Sequence, residues 1–550
     1  MEHSFYYLSR YIWLVCFSLL QQALVAQEAG PAVYFPEQVA VSTQPITLQD
    51  DNFSLRGEEG IMLVQENRNN PASRLISVHF FRFYAKNDRS LPPVFYLPGG
   101  PGSDFERWEF FEDEVGERGR ALSYEISLLN ENRDVIIVNQ RGKSKGYAGL
   151  PFIDFRFSYA HGARYEPLDR VARYAAIADA FDQRCTEIEA MGVDLQGYDF
   201  YHLIDDVEQL RRHFGYDQIA LVGHSFGSQW ALGYHRRYPS MVDRLILSGI
   251  EPIELGYDDP RGLADVYRLL DRTAQNDESL MSHLPDIGLV AAVQEIVGRF
   301  SNGPIEVPLQ WPSRNIDTTL LIGRDDFLSN ITCPFCGYEL RLAFWPKYIT
   351  ELYRGDYRLL ALWAYERRMS QEDSGMMPEL VNYSIGVGVE MDRELRTRPE
   401  LEWLADPNES MRAIDAVCDL PSIGEDFRRS EHQGDTQISE SRANSTPLLM
   451  LHGNLDLSTP LSNAHFLQSQ FPNSHLVILE GGGHRAKWNT FLKDPEFGKR
   501  VLSFINADFS DGGFGRFCAN LPKAYTYKNI SFAPIEGASL FEETLEYLDR

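Results

Sequence analysis

The chain has 550 residues, 43% of them hydrophobic and 12% aromatic, enough apolar material for a large packed core, which excludes a disordered or collagen-like polymer. Lys plus Arg number 52 against 79 Asp plus Glu, a formal charge of −27, so the net field repels nucleic acid and anionic membrane surfaces. No nucleic-acid partner is expected, and the acidity alone selects no substrate.

The N-terminus reads as a removable segment. Arg10 precedes the apolar run Tyr11–Leu20, and Gln21-Gln22 is followed by small residues ending at Ala26, which is the order of a signal peptide. The run is about half of the ~20 apolar residues that a spanning helix needs, so no stable membrane insertion is expected. Residues 1–26 are therefore read as a signal peptide and the remainder as exported, to the periplasm or outside the cell. Cleavage near Ala26 puts Leu24 where a small residue is preferred. Losing Cys16 leaves Cys185, Cys333, Cys336, Cys418 and Cys518, an odd number in a compartment where disulfides persist. Cys333-Pro334-Phe335-Cys336 reads as a local disulfide, because no second Cys/His pair at metal spacing accompanies it.

Beyond the leader, short β-branched and aromatic runs alternate with amphipathic stretches of helical length, the pattern of a mostly parallel sheet covered by helices. The predicted strands are Leu75–Tyr84, Pro93–Leu97, Asp134–Asn139, Gln218–Val222, Arg244–Ser248, Pro447–Leu451 and His475–Leu479. Five of them run into loops rich in glycine or polar residues, and in open α/β sheets such loops converge at the carboxyl ends of the strands, where ligands bind. From 257 to 440 the rhythm of strand and loop stops, and helices are predicted at Leu263–Arg272, Leu289–Phe300 and Tyr348–Arg368. The economical organisation is a core of residues 27–256 and 441–510, interrupted by a helical cap at 257–440 and followed by an extension, 511–550, docked on the core.

The chemistry lies in Gly223-His224-Ser225-Phe226-Gly227, between the strand Gln218–Val222 and the helical stretch Ser228–Arg237. Gly-x-Ser-x-Gly at a strand-to-helix turn is the nucleophile elbow, and its glycines permit backbone crowding that larger residues would block. A serine hydroxyl is a weak nucleophile unless a base lies within hydrogen-bond reach and a third group holds that base. Asp456, after Pro447–Leu451, and His484, after the next strand, are the candidates, in the chain order Ser, Asp, His of the α/β-hydrolase fold. Of the competing histidines, His224 is expected to face away from the hydroxyl and His452 to be buried and hydrogen-bonded. Gly99-Gly100-Pro101-Gly102 supplies donors for an oxyanion. Pro101 has no N–H, so the expected donors are the amide of Phe226 and that of Gly99 or Gly100.

These segments, together with Asn139-Gln140-Arg141-Gly142 and the helix carrying Asp205-Asp206-Val207-Glu208-Gln209-Leu210-Arg211, resemble the proline iminopeptidase and tripeptidyl aminopeptidase group of α/β-hydrolase serine peptidases. The resemblance runs from about Leu75 to Ile505 and is strongest over Tyr201–Pro252. It implies removal of a residue or short peptide from a free N-terminus through an acyl-enzyme on Ser225. The chain departs from that group at Asn139, usually Asp, and at Pro98, often His. Members hold the substrate ammonium with cap carboxylates; here Glu390 and Asp392 occupy a loosely similar stretch that lacks the group's usual cysteine. Glu251 and Glu254, just past Arg244–Ser248, are the other candidates for the amine.

The expected function is thus an exported serine aminopeptidase of prolyl or tripeptidyl type acting on peptide substrates, with no metal or organic cofactor implied and no oligomeric state selected. The elbow does not separate amides from esters, so a secreted carboxylic-ester hydrolase with the same three residues is the alternative. A hydrolase-fold binding protein without catalysis is another.

Overall fold

The computed structural model describes residues 41–550 except 51–52, 88–90, 104, 106–116, 143–152, 161, 164, 256–258, 336, 369, 386–397, 399–400, 402, 405–444 and 527–529. The expected signal peptide, Cys336, Cys418, Glu390 and Asp392 lie outside the described residues. No helix among the described residues is long and apolar enough to cross a membrane.

In chain order the described strands begin with β1 (Val41–Asp50), β2 (Phe53–Gln65), β3 (Leu75–Phe83), β4 (Val94–Leu97), β5 (Val135–Val138), β6 (Arg156–Ala160) and β7 (Ile219–His224). They continue with β8 (Val242–Ser248), β9 (Ile305–Trp311), β10 (Ile316–Ile322), β11 (Gln371–Gly375), β12 (Leu448–Gly453), β13 (Ser474–Glu480) and β14 (Ala524–Thr526). One ten-stranded sheet has the order β1-β2-β3-β5-β4-β7-β8-β12-β13-β14. β1, β2 and β3 form an antiparallel meander that joins β5 antiparallel. From β5 to β14 every pairing is parallel.

Burial on both faces explains the apolar runs. Val94-Phe95-Tyr96-Leu97 and Val135-Ile136-Ile137-Val138 are buried throughout, as parallel strands covered on each side require. Phe95, Leu97, Ile136, Val138 and Leu221 pack on one face with Phe200, Ile204, Phe226 and Trp230. Val94, Tyr96, Val135, Ile137 and Val222 pack on the other with Leu122, Ile126, Phe491 and Phe497. On the first face lies a buried charge cluster: Asp206 accepts from Arg141 Nε and Nη2 at 2.8 and 2.6 Å and from Arg68 Nη2 at 2.5 Å. It ties the loop after β5 and the β2–β3 turn to the helix Phe200–His213.

The insertion between β8 and β12 has a core of its own, including Tyr267, Leu270, Val293, Trp311, Trp345 and Tyr348. Its first two helices are Pro260–Gln275 and Leu289–Arg299. The single helix predicted over Tyr348–Arg368 is two, Gly337–Tyr353 and Arg358–Arg368, because the chain turns at Gly355, whose φ of +95° only glycine adopts freely. Nor is the insertion helical alone: β9 and β10 form an antiparallel ribbon, and β11 pairs with β6 from the N-terminal part. The C-terminal extension divides. β14 adds to the main sheet beside β13, whereas the helix Leu540–Leu548 docks on the insertion through Leu540 and Phe541, with Lys347 Nζ 2.8 Å from Glu543 Oε1. Cys518 is a free thiol whose pKa burial pushes up to about 11.

Candidate active site

β7 ends in the elbow, and close packing dictates its sequence. A Cβ on Gly227 would stand 2.0 Å from the Leu97 carbonyl oxygen, and one on Gly223 would stand 2.3 Å from the Gly227 oxygen. The helix Phe226–Arg237 thereby starts directly against the end of β4. Ser225 sits between strand and helix at φ +57° and ψ −133°, a region that side-chain-bearing residues rarely occupy. Its N–H donates to the Ser248 carbonyl at 3.0 Å.

Two more loops meet this point. Asp456, beyond β12, is fully buried; its Oδ1 accepts from the amides of Ser458 and Thr459, both at 2.9 Å, and its Oδ2 from Thr459 Oγ1 at 2.8 Å. His484, beyond β13, places Nδ1 2.8 Å from Asp456 Oδ2. Burial by itself would raise the carboxyl pKa of Asp456; the facing His484 imidazole, its hydrogen bond, His452 and the Thr459 amide outweigh this and hold it at about 2. The carboxylate is therefore ionised at neutral pH and fixes the proton of His484 on Nδ1, leaving Nε2 as an acceptor. Ser225 and His484 line one cleft of about 170 Å³ with Tyr96, Pro98, Gly99, Gly100, His224 and Trp488.

The other histidines have separate work. His452 is buried, accepts from the Ile250 amide at Nδ1 (3.1 Å) and so donates from Nε2 to the Thr459 carbonyl (2.7 Å). It buttresses the turn that presents Asp456. His224 does not simply turn away: its Nδ1 is 3.0 Å from Ser248 Oγ, and its ring lies tilted against those of both His484 and Trp488 at centroid distances of 4.7 and 4.3 Å.

Gly99 lies beside the hydroxyl, since a Cβ there would be 3.2 Å from Ser225 Cβ and 3.8 Å from its Oγ. The loop is pinned by Gln140, to which the sequence assigned no role. Gln140 Oε1 accepts from the Gly102 amide at 2.6 Å, and its Nε2 donates to the Gly99 carbonyl at 2.8 Å. Gly102 N–H is thereby occupied. Phe226 opens its helix, where amides lack intrahelical acceptors. Asn139, where the resembling group has Asp, braces the same loop by accepting from the Phe105 amide (2.9 Å) and donating to its carbonyl (2.7 Å). An amide can do both, a carboxylate only the first.

The expected amine-binding carboxylates fare differently. The carboxylate of Glu254 is held by the Arg236 guanidinium. Glu251 is buried behind the elbow helix, its N–H bonded to Ser228 Oγ at 2.9 Å, and like Glu254 it is not among the residues lining the cleft. Gln140 stood in the segment Asn139-Gln140-Arg141-Gly142 without a role, because its partners Gly99 and Gly102 come from another loop; Thr459 was not singled out, although it bonds Asp456 only three residues away.

Residues 92–282 match the α/β-hydrolase fold family, and residues 427–491 match a family described as TAP-like protein. The first stretch holds β4, β5, β7, β8 and Ser225; the second holds Asp456 and His484. Among solved structures the chain is similar to a serine hydrolase from Cycloclasticus zankles, at 14% identity and a TM-score of 0.30, covering 86% of this chain and 100% of that one. It is similar also to a meta-cleavage product hydrolase from Pseudomonas fluorescens, at 13% identity and a TM-score of 0.31, covering 78% and 94%. A thermophilic esterase from Thermogutta terrifontis aligns at 14% identity and a TM-score of 0.29, covering 84% and 97%.

Proposed function

We propose that this α/β-hydrolase is an exported serine aminopeptidase that releases N-terminal residues, of prolyl or tripeptidyl type, through an acyl-enzyme on Ser225. The observation that carries the reading is the 2.8 Å contact of His484 with the ionised Asp456 at the cleft that Ser225 lines. The TAP-like match over 427–491 and the tripeptidyl resemblance around the elbow support the peptidase assignment over an esterase. Export rests on the signal-like order of residues 1–26.

In this mechanism Ser225 Oγ attacks the scissile carbonyl carbon while His484 Nε2 takes its proton. Asp456 stabilises the imidazolium that results, and the amides of Phe226 and of Gly99 or Gly100 hold the oxyanion. The tetrahedral species expels the amine, which receives the proton from His484. Water, deprotonated by the same imidazole, then hydrolyses the ester. Glu390 and Asp392 remain the proposed partners of the substrate ammonium.

The test is a panel of aminoacyl and tripeptidyl anilides beside short acyl esters, with sequencing of the fragments released from a defined peptide. Single residues or tripeptides leaving a free N-terminus are the expected products. Ester turnover with no anilide or peptide cleavage would overturn the aminopeptidase reading.

A further inference from the structure

Behind the cleft wall that bears His484 lies a carboxylate for which the proposed chemistry has no use. Glu125, in the helix Glu117–Leu129, is fully buried. It accepts from Lys487 Nζ at 2.8 Å, from Trp488 Nε1 at 2.8 Å and from the Tyr96 hydroxyl at 3.2 Å. These donors come from two other elements: Tyr96 from β4, and Lys487 and Trp488 from the first turn of the helix Ala486–Lys493, which begins directly after the loop carrying His484. Both Tyr96 and Trp488 line the cleft.

Packing alone does not account for this arrangement. A buried ion pair replaced by apolar residues of equal volume often leaves stability unchanged or raises it, because desolvation offsets the attraction. Lys487 is itself buried, and burial pulls its ammonium below the usual lysine range against the opposing pull of Glu125. What the carboxylate provides is direction: one oxygen fixes the lysine, the other the indole and the phenol. The fixed indole supports the His224 ring, and that ring supports His484. On its other sides His484 meets Asp456 and Thr459 at Nδ1. Gly249 comes so near that a Cβ there would stand 2.9 Å from Cε1 of both His224 and His484. The imidazole is thus contacted on every side but the cleft, and a shift of its supporting helix is passed on to it.

We infer that Glu125 is a positioning residue for His484, acting through Lys487 and Trp488 on the loop that carries the base and on the rings of Trp488 and His224 packed against it. The inference rests on the serine-hydrolase reading of the site and not on the choice between peptide and ester.

Hydrolysis of p-nitrophenyl acetate tests it, with reactive sites counted by organophosphonate titration so that unfolded protein drops out. Glu125→Gln keeps an acceptor for Trp488 and Tyr96 but leaves the lysine without its counter-charge; combining it with Lys487→Met removes both charges. The single variant is expected to lower kcat per titrated site by about tenfold or more, since small misplacements of catalytic groups cost up to ~100-fold. KM should move by less than about twofold, and the double variant should regain most of kcat, a split that loss of folded protein does not produce. Unchanged kcat per site in Glu125→Gln overturns the inference. If that variant does not fold, Trp488→Phe, which keeps a ring and removes the Nε1 donor, is measured in the same way, and full activity there overturns it equally. An unmutated chain that hydrolyses the ester without labelling at Ser225 would instead bring down the serine-hydrolase reading itself.

Discussion

Ser225 occupies φ +57°, where a residue with a side chain pays about 1–3 kcal/mol in backbone strain. The strain persists because the strand, the helix and the end of β4 close on the elbow through Gly223 and Gly227, and its effect is to hold Oγ in the cleft. Ser225→Ala keeps the same backbone and packing, so its thermal stability should stay near that of the unmutated chain while kcat falls by about 10⁴–10⁶-fold; retained hydrolysis would remove Ser225 from the mechanism. Asp456→Asn should lower kcat by about 10⁴-fold, because the amide favours the wrong imidazole tautomer. It should also change acid stability. The carboxyl pKa lies at about 2 in the fold against an ordinary 3.8, so its contribution is complete above the ordinary value and is lost as pH falls towards 2. Denaturation midpoints measured downwards from pH 5 should therefore fall less steeply for Asp456→Asn than for the unmutated chain.

At the scale of elements, the Arg68–Asp206–Arg141 cluster joins a helix to two turns, and Arg141 donates further to the Glu66 carbonyl at 2.6 Å. Asp206 would be raised by burial, yet the two guanidiniums hold its pKa below the ordinary range. Asp206→Asn leaves two buried guanidiniums short of a counter-charge and should destabilise the chain by about 3–5 kcal/mol, read from urea unfolding; a loss below about 1 kcal/mol would show that the cluster is not a structural tie. The strands legible in the sequence were those whose burial is written in composition: β4 and β5 are unbroken apolar runs, and β7, β8, β12 and β13 end in histidine, serine, glycine and glutamate beside turns. The strands that escaped reading have the opposite character. β2 contains Arg56-Gly57-Glu58-Glu59-Gly60, and β11 is Gln371-Glu372-Asp373-Ser374-Gly375; each is a strand only because a partner supplies its hydrogen bonds. β9 does alternate, with Val307, Leu309 and Trp311 inward, but Pro308 disguises it, being tolerated because it points outward on a two-stranded ribbon. The site divides likewise. Ser225, Asp456 and His484 were readable from motif and order, whereas Gln140 and Glu125 act across distances in sequence that no local pattern encodes.

For the whole molecule, the terminal helix Leu540–Leu548 docks on the insertion across a seam that carries a titratable group near neutrality. Glu351, in the helix Gly337–Tyr353, accepts from the Leu540 amide at 3.1 Å, where the terminal helix begins. Burial raises its pKa to about 7, with Asp356 and Glu543 adding to the rise and the Leu540 amide and Lys347 opposing it. A carboxyl whose folded pKa exceeds its unfolded value binds more protons when folded, so stability falls as pH rises through the interval from 4.5 to about 7. The terminal helix is the element that feels this, because it meets the insertion at Glu351 and at the Lys347–Glu543 pair. Glu351→Gln keeps an acceptor for the Leu540 amide and has no charge to desolvate. Amide hydrogen exchange over 540–548, corrected for the intrinsic pH dependence of exchange, should show protection of the unmutated chain declining between pH 5 and 8. The variant's protection should stay level across that range and exceed the unmutated chain's at the upper end. Parallel profiles for the two proteins would mean that Glu351 does not titrate at the seam.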